Sequence, residues 1–247
     1  MDSLSRGSGP TVVLIHGSAT DAQAWSIQLA SLAKTVRMVA PHRRSRASVE
    51  AFADDIAALI DDAGAGAVVG CGSSFGAVIL LDVARRYPDR LRGMVLCEPP
   101  LPPTDYVPGV PAGFGCTFDR LVSQRGGEAA AEFFLRTVLG DAAYERLPRR
   151  WQQRACSLWQ EIRADSAALA RYRVRYDSLD QVTTPALLLG GERSAGFYRP
   201  TLDALERALP SVQRLTLRGA GHMMHAEAPR QFNAVLTEFV RTHAAAC

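Results

Sequence analysis

The residues with the clearest chemical potential stand together in Gly72-Ser73-Ser74-Phe75-Gly76. The spacing Gly72-x-Ser74-x-Gly76 is that of a nucleophile elbow, in which a sharp strand-to-helix turn lifts a serine into reach of a substrate. Side chains two positions either side of that serine would collide with neighbouring elements, so glycine is used there. Only Ser74 fits the register. Ser73 would need glycines where Cys71 and Phe75 stand, and Cys71 would need them at Val69 and Ser73. A nucleophilic serine also needs a base, a carboxylate to orient the base, and donors for the oxyanion. His222, in the glycine-rich run Gly219-Ala220-Gly221-His222, is the candidate base, and Glu98 and Glu192 each follow an apolar run. Read without them, the same glycine-rich turn is an ordinary strand-to-helix connection.

The flanking pattern supplies the elements that must hold these groups. Thr11–Ile15, Val36–Ala40, Ala67–Val69, Leu91–Cys97 and Pro185–Gly191 are short, largely apolar runs, as expected of strands buried on both faces of a parallel sheet, and Val212–Leu217 reads as the last strand. Helical patterns alternate with them: Asp21 to Lys34 with Trp25, Leu29 and Leu32 on one face, Ser48 to Asp62, the helix after Ser74, Pro200 to Ala208, and Pro229 to Thr242. That alternation predicts βαβ units, an α/β fold with a mostly parallel central sheet and helices on both faces. Loops after strand carboxyl ends gather on one edge of such a sheet. Ser74, His222 and His16-Gly17-Ser18 all follow strands, so the topology brings them together.

One stretch departs from the rhythm. Leu101–Gly115 is rich in proline and glycine, and Phe118 to Asp180 reads as helix throughout. The predicted organisation is a core of residues 1–100 and 181–247 with a helical cap at 101–180. Phe133, Phe134, Leu135, Val138 and Leu139 form one apolar group there, and Trp151, Leu158, Trp159 and Ile162 another; both are expected to serve as core.

The chain has 247 residues, 47% hydrophobic, with a net charge of +3, which suits one domain with an insertion and does not suggest a nucleic-acid partner. His42-Arg43-Arg44-Ser45-Arg46 reads as a solvated basic loop. Cys71, Cys97, Cys116, Cys156 and Cys247 lack metal-ligand spacing, and with no signal-peptide pattern they are expected as reduced thiols in the cytoplasm. Cys71 and Cys97 are expected in the core. No apolar run reaches the roughly 20 residues of a membrane helix. His222-x-x-His225 has no third ligand cluster, and no phosphate-binding loop follows the first strand, so neither metal nor nucleotide cofactor is expected.

Over nearly its whole length the chain resembles the α/β-hydrolase-fold family. The resemblance rests on the His16-Gly17 turn, the Gly72-x-Ser74-x-Gly76 elbow, the helical insertion after the strand closing at Glu98 (the sixth in the family's order), and Gly221-His222 followed by Glu227-x-Pro229. It implies an oxyanion hole from the backbone N–H groups of Ser18 and Phe75, and a bracing role for His16. Two departures stand out. The family's acid usually follows the seventh strand as Gly-x-x-Asp, whereas this chain has Gly191-Glu192-Arg193-Ser194; and the usual Asp-x-Arg-Gly loop is His42-Arg43-Arg44-Ser45. Some haloalkane dehalogenases of this fold use a glutamate at the position of Glu98, which makes Glu98 the expected acid and Glu192 the alternative.

The implied activity is a cofactor-free serine hydrolase. It would cleave small to medium esters, lactones or thioesters with an apolar acyl or aromatic group through an acyl-enzyme on Ser74. A small-molecule substrate is the expected partner, neither nucleic acid nor membrane is, and a homodimer is left open. Arg136, Arg171, Arg173 and Arg175 could attract a substrate carboxylate. The same fold hosts lyases, isomerases and cyclases, and also binding proteins that have lost turnover, and those alternatives stay open.

Overall fold

Strand β2 (Thr11–Ile15) shows how the sheet is built. Val12 and Leu14 enter one apolar cluster and Val13 and Ile15 the other, as the two-residue period of a strand requires. The same alternation runs through β4 (Val68–Ser73), β5 (Leu91–Cys97) and β6 (Ala186–Gly191). Each is mostly apolar because it is covered on both faces. In this computed structural model, which describes residues 1–104 and 109–244, seven strands form one sheet. With β1 (Ser3–Arg6), β3 (Arg37–Pro41) and β7 (Val212–Leu217), the order is β1-β3-β2-β4-β5-β6-β7. β1 pairs antiparallel with β3 and every other pairing is parallel.

Helices α1 (Ser26–Leu32) and α10 (Pro229–Ala244) cover one face, through Trp25 before α1, Leu29, Phe232, Leu236 and Phe239. Helices α2 (Val49–Asp62), α3 (Phe75–Arg86) and α9 (Tyr198–Ala208) cover the other. Ser48 caps α2, its hydroxyl accepting from Ala51 N–H. Cys71 and Cys97 lie in the core; Cys247 and Pro108 lie outside the described residues. Among the described residues no helix is long and apolar enough to cross a membrane.

Between β5 and β6 the chain leaves the sheet as α4 (Phe114–Arg125), α5 (Gly127–Leu139), α6 (Asp141–Arg146), α7 (Arg149–Ser157) and α8 (Trp159–Arg171). These helices share a single apolar cluster rather than two, containing Leu135, Val138, Leu139 and Ile162. Trp151 departs from the core role expected of it. It is 42% exposed, because the groove it faces is a cavity and not a packed interior.

One further point corrects the sequence reading. β1 was not anticipated, since Leu4 is its one apolar residue and it sits at an exposed edge. The strand that Glu98 follows is the fifth of the seven in this sheet.

Close approach at the elbow makes a stability prediction. A Cβ at Gly76 would overlap the Ile15 carbonyl and stand 2.7 Å from the His16 oxygen, whereas one at Gly115 would meet nothing within 4 Å. Gly76→Ala should lower stability by about 1–3 kcal/mol through overpacking. Gly115→Ala, inside a helix, should raise it by roughly 0.5–1 kcal/mol. Urea denaturation of both variants checks this.

Candidate active site

Ser74 stands where β4 turns into α3, with φ 53° and ψ −122°, a conformation that L-residues rarely adopt. Small neighbours make it possible. A Cβ at Gly72 would stand 2.6 Å from Ala77 Cα, and one at Gly17 would stand 3.1 Å from Ser74 Cβ. Ser74 N–H donates to the Cys97 carbonyl at 2.8 Å, which ties the turn to the end of β5. The next amide, Phe75 N–H, opens α3 and makes no hydrogen bond among the described residues; neither does that of Ser18. Free amides at a helix N-terminus suit a developing oxyanion.

Glu98 follows β5 with φ 45° and is 1% exposed. Its Oε2 lies 2.6 Å from His222 Nδ1, and its Oε1 accepts Gly191 N–H at 2.7 Å. Both carboxylate oxygens are thus occupied. An ionised carboxylate can only accept, so Nδ1 donates in this bond, the tautomer in which Nε2 can act as a base. Glu192 points elsewhere: it is exposed, and its Oε2 accepts Gly219 N–H at 2.7 Å. Ser194, where the family pattern has aspartate, leaves its hydroxyl without a partner among the described residues.

The loop carrying His222 is held by Glu227, whose carboxylate accepts Gly221 N–H at 3.1 Å and Met223 N–H at 3.3 Å. Tyr198 was missed by sequence reasoning, which began its helix at Pro200. Its ring lies 4.3 Å from that of His222 and 8° from parallel. Its hydroxyl is 3.2 Å from Nε2, and with the rings parallel it sits over the imidazole face. The Tyr198 ring thus covers one face of the imidazole, beside the Glu98 contact at Nδ1.

His16 is buried. Its Nε2 accepts Arg43 N–H at 3.4 Å and its Nδ1 is 2.9 Å from the Gly17 carbonyl. Burial, then the Arg43 charge, lowers its pKa to about 3, so it braces the loop as a neutral ring. His225 packs beside Trp25 at 4.6 Å, with neither ring nitrogen partnered among the described residues; burial, then His222, lowers its pKa to about 4.

His16, Ser18, Ser74 and His222 line one cavity of about 310 Å³. Its walls are apolar and come largely from the helices between β5 and β6: Leu135, Val138 and Leu139 of α5, Trp151 of α7, and Leu158. Arg136, Arg171, Arg173 and Arg175 do not line it. They bond Glu132, Asp141 and Glu145, the Ala47 carbonyl, the Ala170 and Tyr172 carbonyls, and Asp177. The guanidinium at the cavity is Arg154, paired with Asp21. The basic-loop reading also needs correction, since Arg43 is buried against Asp165.

Comparison with known proteins agrees with this fold. Residues 12–235 match the profile of the alpha/beta hydrolase family. The chain belongs to that family. It is 24% identical over 250 residues to 2-(acetamidomethylene)succinate hydrolase of Mesorhizobium japonicum, covering 95% of this chain and 89% of that protein. It is 22% identical over 248 residues to the carboxylesterase YbfK of Bacillus subtilis, covering 94% of this chain and 80% of that one. A thermophilic esterase from Thermogutta terrifontis, solved with malate bound, superposes with a TM-score of 0.83 at 26% identity, over 99% of this chain and 94% of that one.

Two of the buried histidines, His16 and His225, give this alpha/beta hydrolase a pH signature. Both are neutral when folded down to about pH 4, while unfolded histidines protonate below their ordinary value of 6.5. Stability should therefore be flat above pH 6.5 and fall as pH drops below it. Each histidine contributes about 2 kcal/mol of loss by pH 5. Chemical denaturation between pH 8 and 5 checks the slope, and His225→Phe should remove about half of it.

Proposed function

We propose that this alpha/beta hydrolase is a serine hydrolase acting on carboxylic esters, lactones or thioesters with an apolar acyl or aromatic group. The observation that carries the reading is the Glu98–His222 contact beside Ser74, at the floor of an apolar cavity. Ser74 Oγ attacks the carbonyl carbon while His222 Nε2 takes its proton. Glu98 holds the ring and stabilises the imidazolium. The amides of Ser18 and Phe75 donate to the oxyanion. His222 returns the proton to the leaving group, an acyl-enzyme remains, and water attacks it with His222 again as base. Apolar walls from Val138, Leu139 and Trp151 suit an apolar acyl group.

Fluorophosphonate labelling, read by intact mass, tests the assignment. Wild type should label rapidly and Ser74→Ala not at all. Glu98→Gln should label and turn over p-nitrophenyl acetate up to about 10⁴-fold more slowly, the loss seen when the carboxylate of a serine triad becomes an amide. If Glu192→Gln lost labelling and Glu98→Gln did not, the acid would be Glu192. A wild type that neither labels nor turns over activated esters would contradict the hydrolase reading.

A further inference from the structure

Behind the oxyanion loop, core and cap meet through buried charges. Arg43, after β3, and Asp165, in α8, each have side chains 5% exposed. Arg43 Nη1 and Nη2 reach the two oxygens of Asp165 at 3.3 and 3.0 Å, a two-pronged guanidinium–carboxylate contact. Two further donors of the fork are also used: Nε donates to the His16 carbonyl and Nη2 to the Gly17 carbonyl, both at 3.1 Å. The guanidinium lies over the rings of Phe52 and Phe75, 5.1 and 5.2 Å from their centroids. One cation therefore grips both sides of the candidate oxyanion hole, the two carbonyls preceding Ser18 and the side chain of Phe75.

Asp165 completes the arrangement from the cap. Its Oδ2 accepts the Ser18 hydroxyl at 2.8 Å. The next residue, Ala19, has φ 59° and packs inside the apolar cluster of the cap helices. Met223, next to His222, packs against that cluster too. A buried ion pair is a poor source of net stability compared with apolar packing of the same volume, but it can specify one geometry. Here the geometry specified is that of the loop bearing Ser18 N–H.

We propose that Asp165 is a positioning residue: through the Ser18 hydroxyl and the Arg43 guanidinium it holds the Ser18 amide toward the cavity while the cap is seated. Its catalytic consequence rests on the serine-hydrolase reading; the tether itself does not. A displaced cap would release the Ser18 hydroxyl and the grip of Arg43 together, so the oxyanion hole would be complete only under a closed cap.

The test compares Asp165→Asn, Ser18→Ala and, on the exposed side of the same helix, Glu161→Gln. Two readouts are taken: steady-state kinetics on p-nitrophenyl acetate, and amide hydrogen exchange of residues 16–20 without substrate. Asp165→Asn should lower kcat about 10–100-fold, somewhat less than outright loss of an oxyanion donor. KM should stay within about 2-fold. Exchange at 16–20 should quicken by roughly 10-fold or more. Ser18→Ala, which leaves the ion pair in place, should show both effects more weakly, and Glu161→Gln neither. An Asp165→Asn protein that melts earlier yet keeps wild-type kcat and wild-type exchange at 16–20 would overturn the proposal and leave Asp165 as a simple latch. If Asp165→Asn does not fold, Ser18→Ala decides by the same readouts. If wild type turns over no activated ester, the hydrolase reading fails, and exchange at 16–20 alone decides the tether.

Discussion

There is no room for a methyl group at Gly76, and most of the site follows from that. The end of β2, the elbow after β4 and the first turn of α3 approach until backbone touches backbone. Gly76 lies against the Ile15 and His16 carbonyls, Gly72 against Ala77, and Gly17 against Ser73 and Ser74. This crowding holds Ser74 at positive φ. A looser packing would let the turn relax to an ordinary conformation. Strain at one residue is sustained because the surrounding elements leave it no alternative.

The carboxylate is the place where this chain departs from its family's usual pattern, and the departure is physically coherent. With Ser194 after β6, the carboxylate comes from β5, one strand closer to the elbow. The longer side chain of glutamate spans the remaining distance to His222, and Gly191 supplies an N–H to its second oxygen. Gly190 keeps that corridor narrow but open, since a Cβ there would already press on Leu202 at 3.0 Å. Tyr198 then roofs the imidazole. Three neighbouring strand ends and one helix start thus define a single buried carboxylate–imidazole pair.

What could be read from the chain alone was what is local or periodic. The elbow is written in three consecutive size constraints, and the sheet in runs whose alternate residues feed two clusters. Glu98 was visible because it closes an apolar run and because Ser194 occupies the expected place of an aspartate. Arg43 and Asp165 were not visible. They are separated by 122 residues, and an arginine in His42-Arg43-Arg44-Ser45-Arg46 looks solvated until the cap is laid over it. Trp151 misled for the opposite reason: an aromatic on a helix face looks like core, and only the cavity beneath it shows otherwise. Tyr198 follows a glycine-rich turn that hides the start of its helix. In each case burial was decided by a partner far away in sequence.

The central claim is that Ser74, His222, Glu98 and two backbone amides form one preorganised unit. A crystal structure of the fluorophosphonate adduct tests it most directly, because the phosphoryl oxygen mimics the oxyanion. Phosphorus should sit on Ser74 Oγ, with that oxygen about 2.7–3.1 Å from the amide nitrogens of both Ser18 and Phe75, and Glu98 still bonded to His222 Nδ1. An adduct on another residue, or a phosphoryl oxygen turned away from those two amides, would contradict it.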